Sequence, residues 1–446
     1  MVTDEFHDRS VCVVGLGYVG LTLAVAMADA GFRVTGAEIR DPVLEMLARG
    51  EPHFHEPGLE QILRRTVASG ALRCVRNIPA DYEGSAFIIT VGTPLGTDGR
   101  ARLDMIENVA REVASRLKKG DLVIMRSTVK LGTTRKVVTR ILDGARVPYE
   151  LAFCPERTLE GRALLELRQL PQIVGGMTPA AAVRAAQIFQ FLTPTVVRVS
   201  DVETAEMIKL VDNSQRDVAF AYANEIARAC DAVGVSAAEV IKAGKLGYPR
   251  TNLPMPGPVG GPCLEKDPYI FAESLRELGL EPEITLAARK LNERQPEEVV
   301  EHVAKTLRAL GVPKAPVIAL LGIAFKGQPA TDDLRGTMAR PVYEALKRRF
   351  PQGSYRGYDP VVSPKDVQTF GLQPCETIEA ALKGAHLAVI MNNHPAFPAM
   401  PLAELAAGMA RPALVYDFWN CFDARELPLA EGVTYMALGS HGRAKR

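Results

Sequence analysis

The segment GGPCLEKD at residues 260–267 places one cysteine, Cys263, among groups that could give it chemistry. Two glycines and a proline precede the cysteine, so the backbone can turn sharply and let a ligand approach closely. Lys266 and Asp267 follow it, and a neighbouring cation favours the nucleophilic thiolate form of a thiol. A cysteine is more often a small buried apolar residue, so this interpretation requires a second signal.

A glycine-rich turn near the N-terminus gives that second signal. Gly15, Gly17 and Gly20 stand in the pattern G-x-G-x-x-G, directly after the apolar residues 10–14. The first glycine allows a tight turn, the second lets the backbone approach a pyrophosphate, and the third lets helix and strand pack closely. Glu38 ends the next apolar segment, where an acid binds a ribose diol and repels a 2′-phosphate. The pattern predicts NAD rather than NADP as cofactor, with further contacts from Tyr18, Val19 and Arg40.

Lys209 and Asn213 are candidates to assist the thiol. They stand four residues apart in a long helical pattern, so they share one helix face. An ammonium and an amide on one face can stabilise an oxyanion, although such polar pairs also occur on solvated faces. A redox dinucleotide combined with an activated thiol indicates oxidation through a covalent thio-intermediate.

Further candidates follow predicted strands, at the edge where α/β sheets bind ligands. Lys326 and Arg335 could hold a diphosphate there, with a charged surface loop as the alternative. Two acids, Glu156 and Glu160, lie on one loop, for which ordinary turn chemistry is the alternative. Candidate cofactor contacts after two other strands are Thr93, Pro94, Ser127 and Thr128.

Short apolar segments alternate with helical patterns in both halves of the chain, which predicts βαβ units and parallel sheets. Residues 201–233 contain no glycine or proline and repeat apolar residues at helical spacing, which predicts one long helix with an exposed face suited to dimer contacts. The predicted fold is α/β, with two Rossmann-like parallel-sheet domains joined by a long central helix and a helical middle region. The predicted strands are 10–14, 32–37, 86–91, 121–125, 171–176, 316–322, 355–360, 388–391 and 413–418.

These elements predict three domains. Residues 1–198 form an NAD-binding Rossmann domain, residues 199–310 a central helical or dimerisation domain with the Cys263 loop, and residues 311–446 a C-terminal α/β domain.

Composition argues against several classes of function. The 446 residues carry 53 Lys and Arg against 52 Asp and Glu, and this balance gives no support to a nucleic-acid or membrane-surface partner. The uncharged run 11–28 is long enough to span a membrane, but its glycines and acidic flank favour a strand, a turn and a helix. Seven cysteines without paired spacing are typical of a reducing, cytoplasmic setting. His53 and His55 form an HxH without further ligands, so we expect no metal site.

Together the motifs resemble those of the UDP-glucose/GDP-mannose 6-dehydrogenase family, NAD-dependent enzymes that make nucleotide-sugar uronic acids. The resemblance covers nearly the whole chain and keeps the family's order. Its segments are GLGYVGL (15–21), HEPGLE (55–60), VGTPLG (91–96), RSTV (126–129), PERTLEG (155–161), KLVDN (209–213), GGPCLEKD (260–267) and GIAFK (322–326).

The resemblance implies a role for each matching residue. Cys263 matches the catalytic nucleophile, and Lys209 and Asn213 match the pair that stabilises the developing oxyanion. Lys266 is an implied cofactor contact. Residues that match groups acting on the water or the thiol are Asp267, Glu156, Thr128 and Glu160. Implied substrate contacts are Glu156, Arg157, Leu159, Lys209, Asn213, Arg250, Gly260, Lys326 and Arg335.

The implied reaction is a four-electron oxidation of the sugar C6 alcohol to a uronic acid, through a thiohemiacetal and a thioester on Cys263. UDP-glucose or a UDP-N-acetylhexosamine is the expected substrate, because residues 155–157 and 248–252 resemble the UDP-N-acetylhexosamine subgroup. The alternatives are dTDP-glucose or GDP-mannose as substrate, a two-electron dehydrogenase, and a non-catalytic protein that binds NAD and a nucleotide sugar. The resemblance also implies that the C-terminal domain binds the nucleotide sugar and that the chain forms a homodimer or higher homo-oligomer.

Overall fold

The computed structural model describes residues 7–441, which fall into two compact units. The first unit contains residues up to 212 together with Tyr269–Glu281, and the second contains Asn213–Pro268 and the chain from 282 onward. Each unit is built on one mainly parallel sheet with helices, so the predicted α/β fold with two Rossmann-like domains is confirmed.

The sheet of the first unit has eight strands in the order β3-β2-β1-β4-β5-β6-β7-β8. All neighbours are parallel except β6 and β7, so the last two strands run opposite to the other six. The sequence patterns missed β3, β6 and β8, because these strands are short and only partly buried. The strands are β1 (Ser10–Val14), β2 (Arg33–Ala37), β3 (Leu72–Val75), β4 (Ala86–Ile89), β5 (Asp121–Met125), β6 (Tyr149–Phe153), β7 (Gln172–Gly176) and β8 (Val196–Val199).

Helices of the first unit connect these strands. The uncharged run that could have been a membrane span forms β1, a turn and the buried helix α1. Between residues 7 and 441, no helix combines the length and apolarity needed to cross a membrane. The helices are α1 (Tyr18–Asp29), α2 (Asp41–Ala48), α3 (Leu59–Ala68), α4 (Asp104–Ala114), α5 (Thr139–Leu142), α6 (Ala163–Gln169) and α7 (Pro179–Gln190), with 3-10 turns at His7–Arg9 and Asp143–Ala145 and a π turn at Thr134–Val138.

The sheet of the second unit has six parallel strands in the order β11-β10-β9-β12-β13-β14. Its central strand β9 is apolar and almost wholly buried, as expected of a strand covered on both faces. The strands are β9 (Val317–Leu321), β10 (Ser354–Tyr358), β11 (Gln373–Pro374), β12 (Leu387–Ile390), β13 (Ala413–Asp417) and β14 (Val433–Ala437). The helices are α9 (Ala237–Lys245), α11 (Glu283–Ala309), α12 (Ala339–Arg349), α13 (Pro364–Phe370), α14 (Ile378–Leu382) and α15 (Leu402–Ala406).

Two further helices, α8 (Val202–Val233) and α10 (Asp267–Glu277), contribute residues to both units. Helix α8 is the predicted long helix, and its 32 residues rise by about 48 Å at 1.5 Å per residue. Gly234 ends it with a φ of 75°, a conformation that favours glycine. The three domain bounds inferred from the sequence stay a prediction.

Candidate active site

The glycine-rich turn joins β1 to α1 and leaves the space next to Gly17 free of protein atoms. Gly15 has a φ of 94°, and a Cβ on Gly20 would lie 1.8 Å from the Gly15 carbonyl oxygen, so both positions require glycine. Gly17 differs, because no atom lies within 4 Å of where its Cβ would be. The empty space over Gly17 is therefore available to a ligand at the N-terminus of α1, where a pyrophosphate would bind.

Replacing Gly17 with alanine tests this assignment. The backbone of Gly17 has a negative φ and the added methyl meets no protein atom, so Gly17→Ala is expected to fold normally. The same methyl would occupy the space of the pyrophosphate, and a clash costing about 1.4 kcal/mol or more raises the KM for NAD at least tenfold. Gly144→Ala is the matched control, because Gly144 also has no neighbour within 4 Å but lies in a 3-10 turn. An unchanged KM in Gly17→Ala would contradict the assignment.

Glu38 lies just past the end of β2 and is buried. Its carboxylate accepts from the Leu16 backbone N–H at 3.1 Å and from the Arg40 guanidinium at 2.8 and 2.9 Å. Burial alone would raise the pKa of Glu38, but the hydrogen bonds and charge of Arg40 outweigh it, so the pKa is lowered. The predicted ribose-binding acid is thus ionised, and the guanidinium of Arg40 has Glu38 as a counter-ion.

Tyr18 occupies the first turn of α1, ahead of Val19, and its hydroxyl contacts a second acid, Glu56. Burial and the Glu56 carboxylate raise the pKa of Tyr18 well above its ordinary value. Glu56 also accepts from the backbone N–H groups of Gly161 at 2.7 Å and Ala163 at 2.8 Å. Sequence reasoning gave Glu56 no role, although it stands in the HEPGLE segment; the structure shows that it anchors the loop that carries Glu160.

The loops after β4 and β5 meet at the carboxyl edge of the sheet. The Thr93 hydroxyl donates to the Thr128 carbonyl, and the Ser127 hydroxyl donates to the Ile89 carbonyl at 3.4 Å. Thr93 and Ser127 are buried, and Pro94 continues the β4 loop. The predicted cofactor contacts on these two loops are therefore brought together within one unit.

Glu156 follows β6 and forms a buried ion pair that the sequence did not predict. The Arg126 guanidinium donates to Glu156 Oε2 at 2.5 and 3.0 Å, and the Thr158 backbone N–H donates to Oε1 at 2.6 Å. Burial opposes ionisation, but the charges of Arg126 and Lys209 and the Thr158 hydrogen bond outweigh it, so the pKa of Glu156 is lowered. Glu156 is therefore an ionised carboxylate with a fixed orientation, and it is not suited to donate a proton near neutrality.

The other predicted groups of the first unit lie on the same loop and on α8. Arg157 donates to the Pro171 carbonyl at 2.9 Å and pairs with Asp212 at 3.3 Å, so its guanidinium already has protein partners. The Leu159 backbone N–H is bound by Glu166 at 2.8 Å. Lys209 is buried, and its charge acts on Glu156.

In the second unit, Cys263 is the one exposed cysteine of the seven, all of which lie between residues 7 and 441. Burial raises the pKa of Cys12 and of Cys154 to about 12, and that of Cys74 to about 11, so these thiols stay protonated near neutrality. The Cys263 carbonyl accepts from the Lys266 backbone N–H at 3.2 Å as the loop turns into α10. Exposure and an ordered turn make Cys263 the cysteine that a substrate can reach.

Asp267 lies at the start of α10 and is fully buried. Its Oδ2 accepts from Asn213 Nδ2 at 2.5 Å, and its Oδ1 lies 2.7 Å from Lys266 Nζ. Asp267 therefore orients the Asn213 amide and provides a counter-ion for Lys266. The contact of Lys266 with the cofactor stays a prediction.

The cysteine loop is fastened by side chains that sequence reasoning missed. The buried Arg289 of α11 donates to the Leu264 carbonyl at 2.8 Å and to the Val259 carbonyl at 3.1 Å. Asp217 of α8 balances its charge at 2.7 Å. Asn224, also on α8, exchanges two hydrogen bonds with the Gly257 backbone at 2.9 and 3.1 Å. These polar helix residues hold both ends of the loop that presents Cys263.

The predicted substrate contacts of the second unit have different surroundings. Gly260 is required by close packing, since a Cβ there would lie 2.1 Å from the Gly336 carbonyl oxygen. Lys326 Nζ lies 5.2 Å from the Phe325 ring centroid, and the Arg250 guanidinium lies over the Tyr248 ring at 4.3 Å. Arg335 is exposed and forms a two-pronged ion pair with Asp333. Their roles toward the substrate stay predictions.

Comparison with known families decides the identity of this arrangement. Three domains of the UDP-glucose/GDP-mannose dehydrogenase family match: the NAD binding domain over residues 9–193, the central domain over 203–294 and the UDP binding domain over 319–424. The chain belongs to the UDP-glucose/GDP-mannose dehydrogenase family. This membership confirms NAD as the cofactor and makes the chain an NAD-dependent nucleotide-sugar dehydrogenase.

Members of this family resemble the chain over almost its full length. The NDP-N-acetyl-D-galactosaminuronic acid dehydrogenase of Ralstonia nicotianae is 34% identical, with 88% of this chain and 92% of that protein covered. The UDP-N-acetyl-D-mannosamine dehydrogenase of Salmonella typhi is 33% identical, with 88% and 95% covered. The solved UDP-D-ManNAc dehydrogenase of Pyrococcus horikoshii superposes with a TM-score of 0.87 at 31% identity, covering 97% of this chain and all of that one.

Proposed function

We propose that this chain oxidises the C6 alcohol of a UDP-N-acetylhexosamine to the uronic acid with two NAD, through a covalent intermediate on Cys263. The observation that carries the proposal is the exposure of Cys263 on a fastened loop, in a chain whose other six cysteines are buried or half-buried. The sugar class is supported by the relatives, since proteins named for N-acetylmannosamine and N-acetylgalactosaminuronic acid align with nearly the whole chain.

The first oxidation removes a hydride from C6 and a proton from the hydroxyl oxygen bound to it, and leaves an aldehyde. Bound NAD supplies the hydride acceptor for both oxidation steps, and the open space at Gly17 and the ionised Glu38 fit its pyrophosphate and ribose. We assign the proton transfer of this step to Lys209, which is buried beside the carboxylate of Glu156.

The second oxidation requires the thiolate, because a free aldehyde is a poor hydride donor. The sulfur of Cys263 adds to the aldehyde carbon, and the carbonyl electron pair moves to oxygen, which gives a thiohemiacetal oxyanion. Lys209 and Asn213 stabilise this oxyanion through an ammonium and an amide N–H. Loss of the hydride that remains on this carbon leaves a thioester.

Hydrolysis completes the reaction. Water adds to the thioester carbonyl and loses a proton to solvent, the carbon–sulfur bond breaks, and the thiolate leaves. The uronic acid formed in this way releases a second proton to solvent and becomes the uronate. We assign the positioning of this water to Thr128, Glu160 and the carboxylate of Glu156, with Asp267 acting through Asn213. The low pKa of Glu156 favours an electrostatic and orienting role over strong general-base catalysis.

The proposed substrate is tested by measuring NADH formation with a set of nucleotide sugars. UDP-N-acetylmannosamine, UDP-N-acetylglucosamine and UDP-N-acetylgalactosamine are compared with UDP-glucose, dTDP-glucose and GDP-mannose at equal concentration. We expect a UDP-N-acetylhexosamine to give the highest kcat/KM and two NADH per sugar. One NADH per sugar would instead indicate a two-electron dehydrogenase, and binding of NAD without NADH release from any sugar would indicate a non-catalytic protein.

We further propose that the enzyme works as a homodimer or higher homo-oligomer in the cytoplasm. Support for association comes from α8, where Val211 and Tyr222 expose 43% and 56% of their surface. Support for the compartment comes from seven cysteines, an odd number without paired spacing.

A further inference from the structure

Glu206 is a buried acid on α8 that none of the steps above employs. It is 1% exposed, and its carboxylate accepts from two backbone N–H groups, those of Gly132 at 2.6 Å and Thr134 at 2.9 Å. Both groups belong to the segment that follows β5, and Thr134 begins the π turn at Thr134–Val138. One side chain of α8 thus fixes the end of this segment.

The two elements that Glu206 joins both carry proposed catalytic groups. The segment after β5 begins with Arg126, which holds Glu156, and continues with Thr128. On α8, Lys209 follows Glu206 by three residues, about one helical turn. Glu206 therefore joins the segment that carries Thr128 to the turn of α8 just before Lys209.

We propose that Glu206 is a positioning residue, which clamps the segment bearing Thr128 to the helix bearing Lys209 and so sets the geometry for proton transfer and hydrolysis. This role rests on the proposed function of those two residues. It does not require Glu206 to touch the substrate or the cofactor.

The clamp is expected to depend on pH near neutrality. Burial raises the pKa of Glu206 to about 7, against the lowering effect of the Thr134 and Gly132 hydrogen bonds. The carboxylate is the stronger acceptor for two N–H donors, so the clamp is tight above pH 7 and weakens as Glu206 is protonated. Because the pKa of Glu206 in the folded state lies above its ordinary value, protonation of Glu206 stabilises the fold. A loss of activity caused by this protonation is therefore not a loss of structure.

The charged groups around Glu206 are largely paired with one another. On its own helix, Glu203 pairs with Arg135 at 2.6 Å and also raises the pKa of Glu206. From the segment after β5, the Lys136 side chain lies along Gly132. Lys130 on the same segment pairs with two acids of α10, Glu273 and Glu277.

Substituting the acid by its neutral isostere tests the clamp. Glu206→Gln is expected to lower kcat at pH 8.5 about tenfold, since an amide is a weaker acceptor than a carboxylate, and to leave the KM for NAD within about twofold. In the wild type, kcat is expected to fall as the pH drops below about 7, and the part of this fall that protonation of Glu206 causes should be absent in the variant. Glu203→Gln removes a charge from the same helix and breaks an exposed pair with Arg135, but it leaves both hydrogen bonds of Glu206 in place. It should keep the wild-type kcat at pH 8.5 and retain the acid limb, moved to lower pH because Glu203 raises the pKa of Glu206.

Amide hydrogen exchange gives a readout that does not depend on catalysis. Exchange of the Gly132 and Thr134 amides, corrected for intrinsic pH dependence, should rise at least about tenfold in Glu206→Gln. If the wild type released no NADH from any nucleotide sugar, that result would count against the proposed function alone. The exchange measurement would then still test whether Glu206 holds the segment after β5. Glu206→Asp keeps the charge but reaches less far, and should retain the acid limb at a lower kcat. The proposal would be overturned if Glu206→Gln and Glu206→Asp both kept the kcat, the pH profile and the amide protection of the wild type.

Discussion

Replacement of Cys263 by alanine is expected to lower the rate of uronate formation by at least about a thousandfold, because no thiohemiacetal can form. The first hydride transfer does not require the sulfur, so slow NADH release at the aldehyde level is expected to remain. The measurement is the amount of uronate and of NADH formed per nucleotide sugar. Since the side chain of Cys263 is exposed, its loss should leave the thermal midpoint unchanged.

Cys375→Ala is the matched control for this experiment. Cys375 is a half-buried cysteine of the same unit, and burial raises the pKa of its thiol. Its substitution should leave uronate formation as in the wild type. Iodoacetamide should modify Cys263 ahead of Cys375 and inactivate the enzyme with the same time course. Wild-type uronate production by Cys263→Ala would eliminate the covalent mechanism.

Arg126→Met is expected to have the largest effect on stability. The Arg126 and Glu156 side chains are 1% and 9% exposed, so removal of the cation leaves a buried carboxylate without its partner. Breaking a buried pair in this way costs about 3–5 kcal/mol of unfolding free energy. The variant also loses the hydrogen bonds from Arg126 to the Cys154 carbonyl and to Gln172. At roughly 2–4 °C per kcal/mol, the thermal midpoint of this unit should fall by about 10 °C.

Two further variants separate the charge effect from lost packing. Arg126→Met combined with Glu156→Gln removes both charges and should recover part of the lost stability, because no unpaired charge remains. Arg111→Met breaks an exposed pair with Glu107 and should cost about 0.5 kcal/mol or less. Equal thermal midpoints for Arg126→Met and Arg111→Met would show that the buried pair contributes no more to stability than the exposed pair does.

Local sequence patterns predicted the glycine-rich turn between β1 and α1. The requirement for glycine at positions 15 and 20 and for an acid at 38 arises within one βαβ unit, whose elements follow each other in the chain. Five strands between residues 7 and 441 were missed. Three of them, β3, β6 and β8, are four or five residues long and partly exposed, β11 has only two residues, and β14 begins with two half-buried residues. Their pairing in the sheet compensates for a weak local pattern, which a sequence window cannot detect.

The sequence by itself determined the α/β class, the NAD cofactor and the family, and it singled out Cys263 as the candidate nucleophile, because each depends on residue types at short, fixed spacing. Only the tertiary structure showed that Cys263 is exposed, that Glu156 is held by Arg126, that Glu56 anchors the Glu160 loop and that Glu206 accepts hydrogen bonds from the segment after β5. The partners in these three contacts are 30, 105 and 72 residues apart. Contacts of that range depend on how sheets and helices bring distant segments together, and burial then decides which acids stay ionised.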